Sequence, residues 1–375
     1  MINFEIAGYG HASKLRDILS SIEIEGLLVV TGRKSYAMSG AEGALKRILS
    51  QYNPVYFSDF ETNPKFEDAL RGRDIALKQK VDTIVSVGGG SVIDMAKLIK
   101  ALYLHGDEAK DVTLGKKNVK DAGIYHISIP TTSGSGSEST HFAVVYLNGK
   151  KYSLADSLLK PNATILDGSL TSSATKYQKS CNVLDVMSQA IESAWAVGAT
   201  EQSKRFAFAS LELASKNYIA YVNQSNADNS QNMMLASSLA GKAINISKTT
   251  AAHAWSYHFG LCHGVSHGHA VWLTLPRIFE IHHEASFRQF TGGNRSQPLA
   301  EITSRLLEIL GYQSGSVADF LTTELLKIDV KVGLKKDFNL NERARRQASE
   351  AVNFERMKNN PVELSVSHIN RIFEL

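Results

Sequence analysis

Five of the twelve histidines in this 375-residue chain, His253, His258, His263, His267 and His269, fall within seventeen residues. A single histidine is usually a core or surface residue. Neutral imidazole is also the commonest transition-metal ligand, however, and a cluster this dense points to a metal site. A metal with an open coordination position acts as a Lewis acid on a substrate oxygen, and catalytic sites of that kind often pair imidazoles with a carboxylate. Asp185 is the candidate carboxylate. It lies in the apolar run Cys181-Asn182-Val183-Leu184-Asp185-Val186-Met187, where an unpaired charge is costly to bury. From spacing alone it is either a ligand or half of a helix-face salt bridge.

Two glycine-rich stretches suit a phosphate-bearing ligand. Gly88-Gly89-Gly90-Ser91 follows a strand-like run and opens a helix. Glycine lets the backbone approach a ligand closely, and a helix N-terminus presents unpaired N–H groups to an anion. Three consecutive glycines at such a turn favour a pyrophosphate over a turn that needs glycine only for packing. The stretch is neither a GxGxxG fingerprint nor a Walker A loop. Pro130-Thr131-Thr132-Ser133-Gly134-Ser135-Gly136-Ser137-Glu138 is a second loop, dense in small hydroxyls, directly after another strand-like run. In a doubly wound sheet, loops at the carboxyl ends of the strands line the ligand crevice.

The elements that must carry these residues divide the chain. Short apolar, β-branched runs at 27–31, 55–57, 83–87 and 124–129 predict strands, with helices over 34–51 and 63–80. The strands are too apolar to have one wet face, so they predict a parallel sheet covered by helices on both sides. After about residue 170 strand-like runs vanish. Helical periodicity takes over at 183–196, 204–222, 233–243, 299–310 and 343–354. Length alone allows two or three domains. The change of pattern predicts two, an α/β domain over 1–168 and an all-α domain over 169–375.

Composition adds exclusions. With 43% hydrophobic and 21% charged residues the chain is of ordinary globular type. Its 41 basic against 37 acidic residues leave +4 without a basic block, too little to argue for nucleic acid. No window has the 18 or so nearly uncharged apolar residues of a membrane span, and the first residues lack the order of a signal peptide. The two cysteines, Cys181 and Cys262, make no disulfide framework. A soluble, cytoplasmic protein is the expectation.

Taken jointly, the motifs resemble the iron-containing (group III) alcohol dehydrogenase family and its relatives, glycerol dehydrogenase and dehydroquinate synthase. The resemblance rests on Gly88-Gly89-Gly90-Ser91 with Asp94 and Lys97, on residues 130–138, on Leu166-Asp167, on Asp185 with Ala190-Ile191-Glu192, and on His267-Gly268 nine residues before Pro276. It implies a Rossmann-like dinucleotide-binding α/β domain followed by an all-α domain, the dehydroquinate synthase-like fold. It further implies that Gly88, Gly89, Gly90 and Ser91, with Asp94, hold a nicotinamide dinucleotide by its pyrophosphate. Thr131 and Thr132 would lie against adenine and its ribose, and Ser135, Ser137 and Lys151 towards the nicotinamide side. Asp185, His253 and His267 fall where that family places metal ligands, and a homodimer is the usual assembly.

Two positions depart from the family pattern. The usual second ligand, a histidine four residues after the aspartate, is Gln189 here, so the divalent metal is Fe2+ or Zn2+. Tyr257 replaces a histidine that helps proton exit, and Tyr257, His258 or His263 would take that part. The loop Gly32-Arg33-Lys34-Ser35 offers glycine, two cations and a hydroxyl where strict NAD users often carry an aspartate. That composition attracts a 2′-phosphate, so NADPH is expected, with NADH also accepted. The expected activity is reduction of a small aldehyde, with the phosphonoacetaldehyde reductase branch the nearest resemblance. The alternatives are a lyase like dehydroquinate synthase, or a dinucleotide-binding member that has lost its metal.

Overall fold

A computed structural model describes residues 4–286, 299–331 and 357–373, without the side chains of 261–263 and 286. The chain divides into two compact units, residues up to 174 and residues from 175.

The first unit is built on six parallel strands, β1 (Phe4–Ala7), β2 (Leu27–Thr31), β3 (Val55–Phe57), β4 (Thr83–Gly88), β5 (Tyr125–Pro130) and β8 (Ala163–Leu166). They are ordered β1-β8-β5-β4-β2-β3, and every pairing is parallel. Alternation along each strand feeds two cores: Leu28, Val30 and Ile84 point to one face, Leu27, Val29, Val85 and Val87 to the other. Helices α1 (Leu15–Leu19), α2 (Ser35–Met38), α3 (Ala41–Leu49), α4 (Phe66–Lys78), α5 (Gly90–Leu102) and α6 (Ala109–Thr113) complete the unit. Two-faced burial explains the continuous apolar strands that the sequence showed.

Two local expectations need correction, and one further element was not anticipated. The helix expected over 34–51 is two helices, because Gly40 sits at φ 80° between α2 and α3, a left-handed conformation that ends one helix and caps the next. The sheet has two strands more than the four anticipated: β8 is a buried four-residue run, and β1 is an edge strand. The run 142–147 is one arm of an antiparallel hairpin, β6 (Phe142–Leu147) with β7 (Lys150–Ala155). Its turn is Asn148-Gly149, both at positive φ, the residues a two-residue hairpin turn demands.

The second unit is helical among its described residues: α7 (Lys176–Trp195), α8 (Glu201–Asn223), α9 (Ala227–Ser247), α10 (Ala251–His263), α11 (His267–Trp272), α12 (Leu275–Ser286), α13 (Leu299–Leu310), α14 (Val317–Leu326) and α15 (Val366–Ile372). The helix expected over 343–354 lies outside the described residues. Capping boxes start α7, α8 and α9 at Thr175, Thr200 and Asn226. The C-terminal half of α7 is buried on all sides, every residue from Leu184 to Trp195 included. Asp185, Gln189 and Glu192 recur on it at steps of four and three, so they share one face.

Candidate active site

Asp185 on α7, His253 on α10 and His267 at the start of α11 bring one ligand atom each to within 4.8 Å of one another. Asp185 Oδ1 lies 3.6 Å from His253 Nε2 and 3.9 Å from His267 Nε2. Those separations are too long for hydrogen bonds. They are close to the roughly 3.4 Å expected between ligands on a tetrahedral ion with bonds of about 2.1 Å.

Neighbouring groups hold His253 and Asp185 in place. His253 Nδ1 donates to Glu192 Oε2, which leaves Nε2 as the nitrogen facing Asp185. Glu192 Oε1 accepts from the Thr250 hydroxyl at 2.7 Å and from Ala252 N at 2.8 Å, so the carboxylate is fully enclosed and fully bonded. A histidine ligand whose far nitrogen is fixed by a carboxylate is a standard feature of metal centres. Gln189 hydrogen-bonds the Asp185 carboxylate. Burial pushes the Asp185 carboxyl up, but His267, His253 and Gln189 outweigh it and hold the group below its usual range, as an anion. His267 is exposed while the other two ligands are buried, so the cluster has an open side. A buried carboxylate and two imidazole nitrogens at these separations fit a divalent transition metal.

His267 reaches this position because its neighbour is glycine. A Cβ on Gly268 would stand 2.0 Å from the Cys181 carbonyl oxygen and 2.8 Å from Asp185 N. Only glycine lets α11 lie directly on α7. The remaining histidines separate. His269 bonds Tyr177 Oη at 3.0 Å and the Lys331 carbonyl at 2.7 Å, and His258 sits edge-on to Phe259. The His263 side chain lies outside the described residues. Tyr257 stacks parallel to His267 at 6.2 Å.

The first unit gathers the glycine-loop residues at the carboxyl ends of β2, β4 and β5. Thr131 N donates to Gly88 O at 3.0 Å. A Cβ on Gly89 would touch Thr132 Oγ1 at 3.2 Å, and one on Gly90 would meet Ser135 Oγ at 2.6 Å. The two loops therefore lie side by side, with α5 starting at Gly90 and Ser91 in its first turn. A Cβ on Gly32 would meet Ser35 Oγ at 2.2 Å, and Val92 packs under both Gly32 and Gly88.

Asp94 and Ser137 bond each other, at 2.5 Å, and Asp94 also accepts from Val144 N at 3.0 Å. Lys97 is wholly buried and donates to Ser137 O, Thr140 Oγ1 and Phe142 O. Burial lowers the Lys97 ammonium to about 8 against the pull of Asp94, and raises the Asp94 carboxyl against the pull of Lys97. Lys151, on β7 opposite Tyr146, adds its positive charge near Asp94.

Sequence reasoning passed over two participants. Glu192 belongs to the motif Ala190-Ile191-Glu192 that carries the resemblance, but nothing in the sequence assigns it a role towards His253. Asp59 follows β3 and ion-pairs Arg33, with Arg71 Nη2 3.6 Å from the same carboxylate. Lys34 immediately precedes α2 and makes no side-chain capping bond to it.

The model of the iron-containing alcohol dehydrogenase family matches residues 5–168, and that of the Fe-containing alcohol dehydrogenase family C-terminal domain matches residues 181–375. The chain belongs to this family. Iron-containing alcohol dehydrogenases are oxidoreductases acting on the CH–OH group, using NAD(H) and a divalent metal. Aldehyde-alcohol dehydrogenase 2 of Entamoeba histolytica is 30% identical over 271 residues, covering 68% of this chain but only 31% of that protein. Phosphonoacetaldehyde reductase of Streptomyces viridochromogenes is 27% identical over 329 residues, covering 85% of this chain and 81% of that one. Sulfoacetaldehyde reductase from Bifidobacterium kashiwanohense, solved in complex with NAD+, superposes with a TM-score of 0.86 at 27% identity, over 99% of this chain and 96% of that chain. No described helix is long and apolar enough to cross a membrane.

Proposed function

We propose that this protein is a metal-dependent, NAD(P)H-linked reductase of a small aldehyde bearing an anionic group of the phosphonate or sulfonate class. The α/β domain over 1–168 is the dinucleotide-binding part, and the helical domain over 169–375 holds metal and substrate. The observation that carries the reading is the convergence of Asp185, His253 and His267 within 4.8 Å. Two reductases of anionic aldehydes resemble this chain over 85% and 99% of its length, which supports the substrate class. Neither the lyase reading nor loss of the metal is favoured by these findings.

A divalent metal at this site supplies Lewis-acid stabilisation of negative charge on the substrate oxygen. The nicotinamide supplies the hydride. The chain's own residues supply position. Glu192 keeps the proton of His253 on Nδ1, so that Nε2 offers its lone pair beside Asp185. Asp185 brings one negative charge to the site, and with two neutral imidazoles it would hold a dication without neutralising it fully. Gln189 steadies Asp185 through its amide and stands one turn away as a further oxygen donor.

Gly88 to Ser91 and the N-terminus of α5 take the pyrophosphate, flanked by Thr131, Thr132, Ser135, Ser137 and Lys151. Arg33 and Lys34, beside Gly32 and Ser35, take a 2′-phosphate, so NADPH is used and NADH is accepted. Tyr257, stacked on the exposed His267, or His263 carries the proton to solvent. Iron or zinc serves as the metal. A homodimer in the cytoplasm completes the reading, in keeping with two cysteines in 375 residues.

The test is an aldehyde panel with protein stripped of metal and reloaded with Zn2+ or Fe2+. Phosphonoacetaldehyde, sulfoacetaldehyde and acetaldehyde are each scored by NADPH and NADH oxidation. The anionic aldehydes should exceed acetaldehyde in kcat/KM by about tenfold or more, the equivalent of ~1.4 kcal/mol. Equal rates overturn the substrate class, and turnover without added metal overturns the metal role.

A further inference from the structure

The connection between α9 and α10 contains a residue in an unfavourable conformation. Lys248 sits at φ 61°, ψ −177°, a region that is essentially the preserve of glycine and costs a side-chain-bearing residue of order 1–3 kcal/mol. Surrounding structure must impose it. Lys248 N donates to Ile244 O at 2.9 Å and its carbonyl accepts from Ser247 Oγ at 3.0 Å, and Asn359, far along the chain, adds the restraint from outside the segment: its Nδ2 donates to the Ser247 carbonyl at 2.8 Å and to the Thr249 carbonyl at 3.1 Å. These carbonyls flank Lys248 on either side.

Asn359 is anchored in turn to the end of α7. Its Oδ1 accepts from Gly198 N at 2.9 Å and its backbone carbonyl from Val197 N at 2.9 Å. One side chain thus ties the C-terminal end of α7 to the start of α10. The same two helix ends meet in the buried network that orients His253. Trp195 Nε1 donates to Thr250 Oγ1 at 3.0 Å, and Thr250 Oγ1 donates to Glu192. Glu192 accepts from Ala252 N and His253 Nδ1. Ser193 Oγ meets Ser247 Oγ at 2.6 Å. If residues 247–250 relaxed, Thr250 and Ala252 would leave Glu192, and Glu192 would no longer have a fixed position for His253.

We infer that Asn359 is a positioning residue for the metal site: it holds Lys248 in its strained conformation, and so sets Thr250, Glu192 and His253 in register with Asp185. This rests on the proposed metal site and adds a third layer to it. The strain at Lys248 gives the inference a particular signature. Losing the clamp lets Lys248 relax, whereas glycine at 248 has no strain to relieve and loses its drive to move.

The experiment measures Zn2+ affinity of the full-length protein by competition with a chromogenic chelator, with folding followed by far-UV circular dichroism. Asn359→Ala should weaken Zn2+ binding by about tenfold, the lower end of effects seen when groups supporting a metal ligand are removed. Asn359→Asp keeps the acceptor for Gly198 N but loses the donor to both carbonyls, so it should weaken binding similarly and serves if the alanine variant does not fold. Lys248→Gly alone should bind Zn2+ as the parent does and melt at a higher temperature. Lys248→Gly combined with Asn359→Asp should recover most of the lost affinity, which a general loss of stability would not produce. Parental affinity in a folded Asn359→Ala or Asn359→Asp protein overturns the inference, as does a double variant no better than Asn359→Asp. Asp185→Ala is the control: if it too keeps parental affinity, the metal site itself is misplaced, a failure distinct from that of the clamp.

Discussion

Glu192 binds His253 through one carboxylate oxygen and the backbone that carries His253 through the other. Oε2 accepts from the ring, and Oε1 accepts from Ala252 N and from Thr250. The carboxylate thus fixes both where the imidazole stands and which nitrogen it presents. Glu192→Gln keeps the shape and removes the charge. Metal affinity should fall by about 10–100-fold with the helical content intact, measured by chelator competition and circular dichroism.

Gly268 tests the same site through packing. In Gly268→Ala the new methyl would lie 2.0 Å from a main-chain oxygen of α7, which cannot swing aside as a side chain would. Helix α11 must move, taking His267 with it. Overpacking of this kind costs about 1–3 kcal/mol. The thermal midpoint should fall, and metal content after purification should drop more steeply than stability does.

The buried pair beside residues 135–137 predicts a coupled loss, with residues 130–138 as the proposed cofactor loop. Asp94→Ala leaves the fully buried Lys97 with Glu138 as its remaining negative neighbour and strips Ser137 and Val144 N of their acceptor. Breaking such an arrangement costs about 3–5 kcal/mol. Denaturant unfolding should show it, together with weaker NADPH binding in a fluorescence titration, because residues 135–137 lose their support.

These outcomes bear on how far the sequence could be read. Apolar continuity identified β2, β4 and β5 because both faces of the sheet are covered. It missed β1, whose residues are largely exposed at the sheet edge and so carry no burial pattern. The turn Asn148-Gly149 was a legible signal for the β6–β7 hairpin, while Gly40 inside a helix-like pattern was not distinguishable from a tolerated glycine. At the site, histidine density and the apolar surroundings of Asp185 pointed to metal chemistry. Which two of five histidines converge depends on Gly268 allowing α11 onto α7, a tertiary fact. The bond of Glu192 to His253 and the ion pair of Asp59 with Arg33 were hidden for the same reason: each joins residues distant in sequence.

Cofactor choice should respond to the Arg33 and Asp59 pair. Removing both cations in Arg33→Ala with Lys34→Ala should lower the ratio of NADPH to NADH kcat/KM by about tenfold or more, since a charge-assisted phosphate contact is lost. Asp59→Asn should raise it, because Arg33 is released from its ion pair. An unchanged ratio in both variants contradicts the assignment of the 2′-phosphate to this loop.

Acid stability should report His282. This ring is fully buried against Trp195, accepts from Asn360 Nδ2 at 3.1 Å, and is held down to about 3 by burial, with Glu192 opposing and His368 adding to the shift. Between about 3 and the ordinary value of 6.5 the unfolded chain binds a proton that the folded chain does not. Stability from this ring therefore falls as pH falls through that window and is level above it. His282→Gln should flatten that part of the curve in urea unfolding between pH 7 and pH 4.

The central claim is that Asp185, His253 and His267 hold a metal on which aldehyde reduction depends. The most direct measurement compares parent and Asp185→Ala protein for metal bound per chain and for NADPH oxidation with phosphonoacetaldehyde after reloading with Zn2+ or Fe2+. About one metal per chain and turnover are expected in the parent, with both lost together in the variant. Metal content and turnover that survive Asp185→Ala would contradict it.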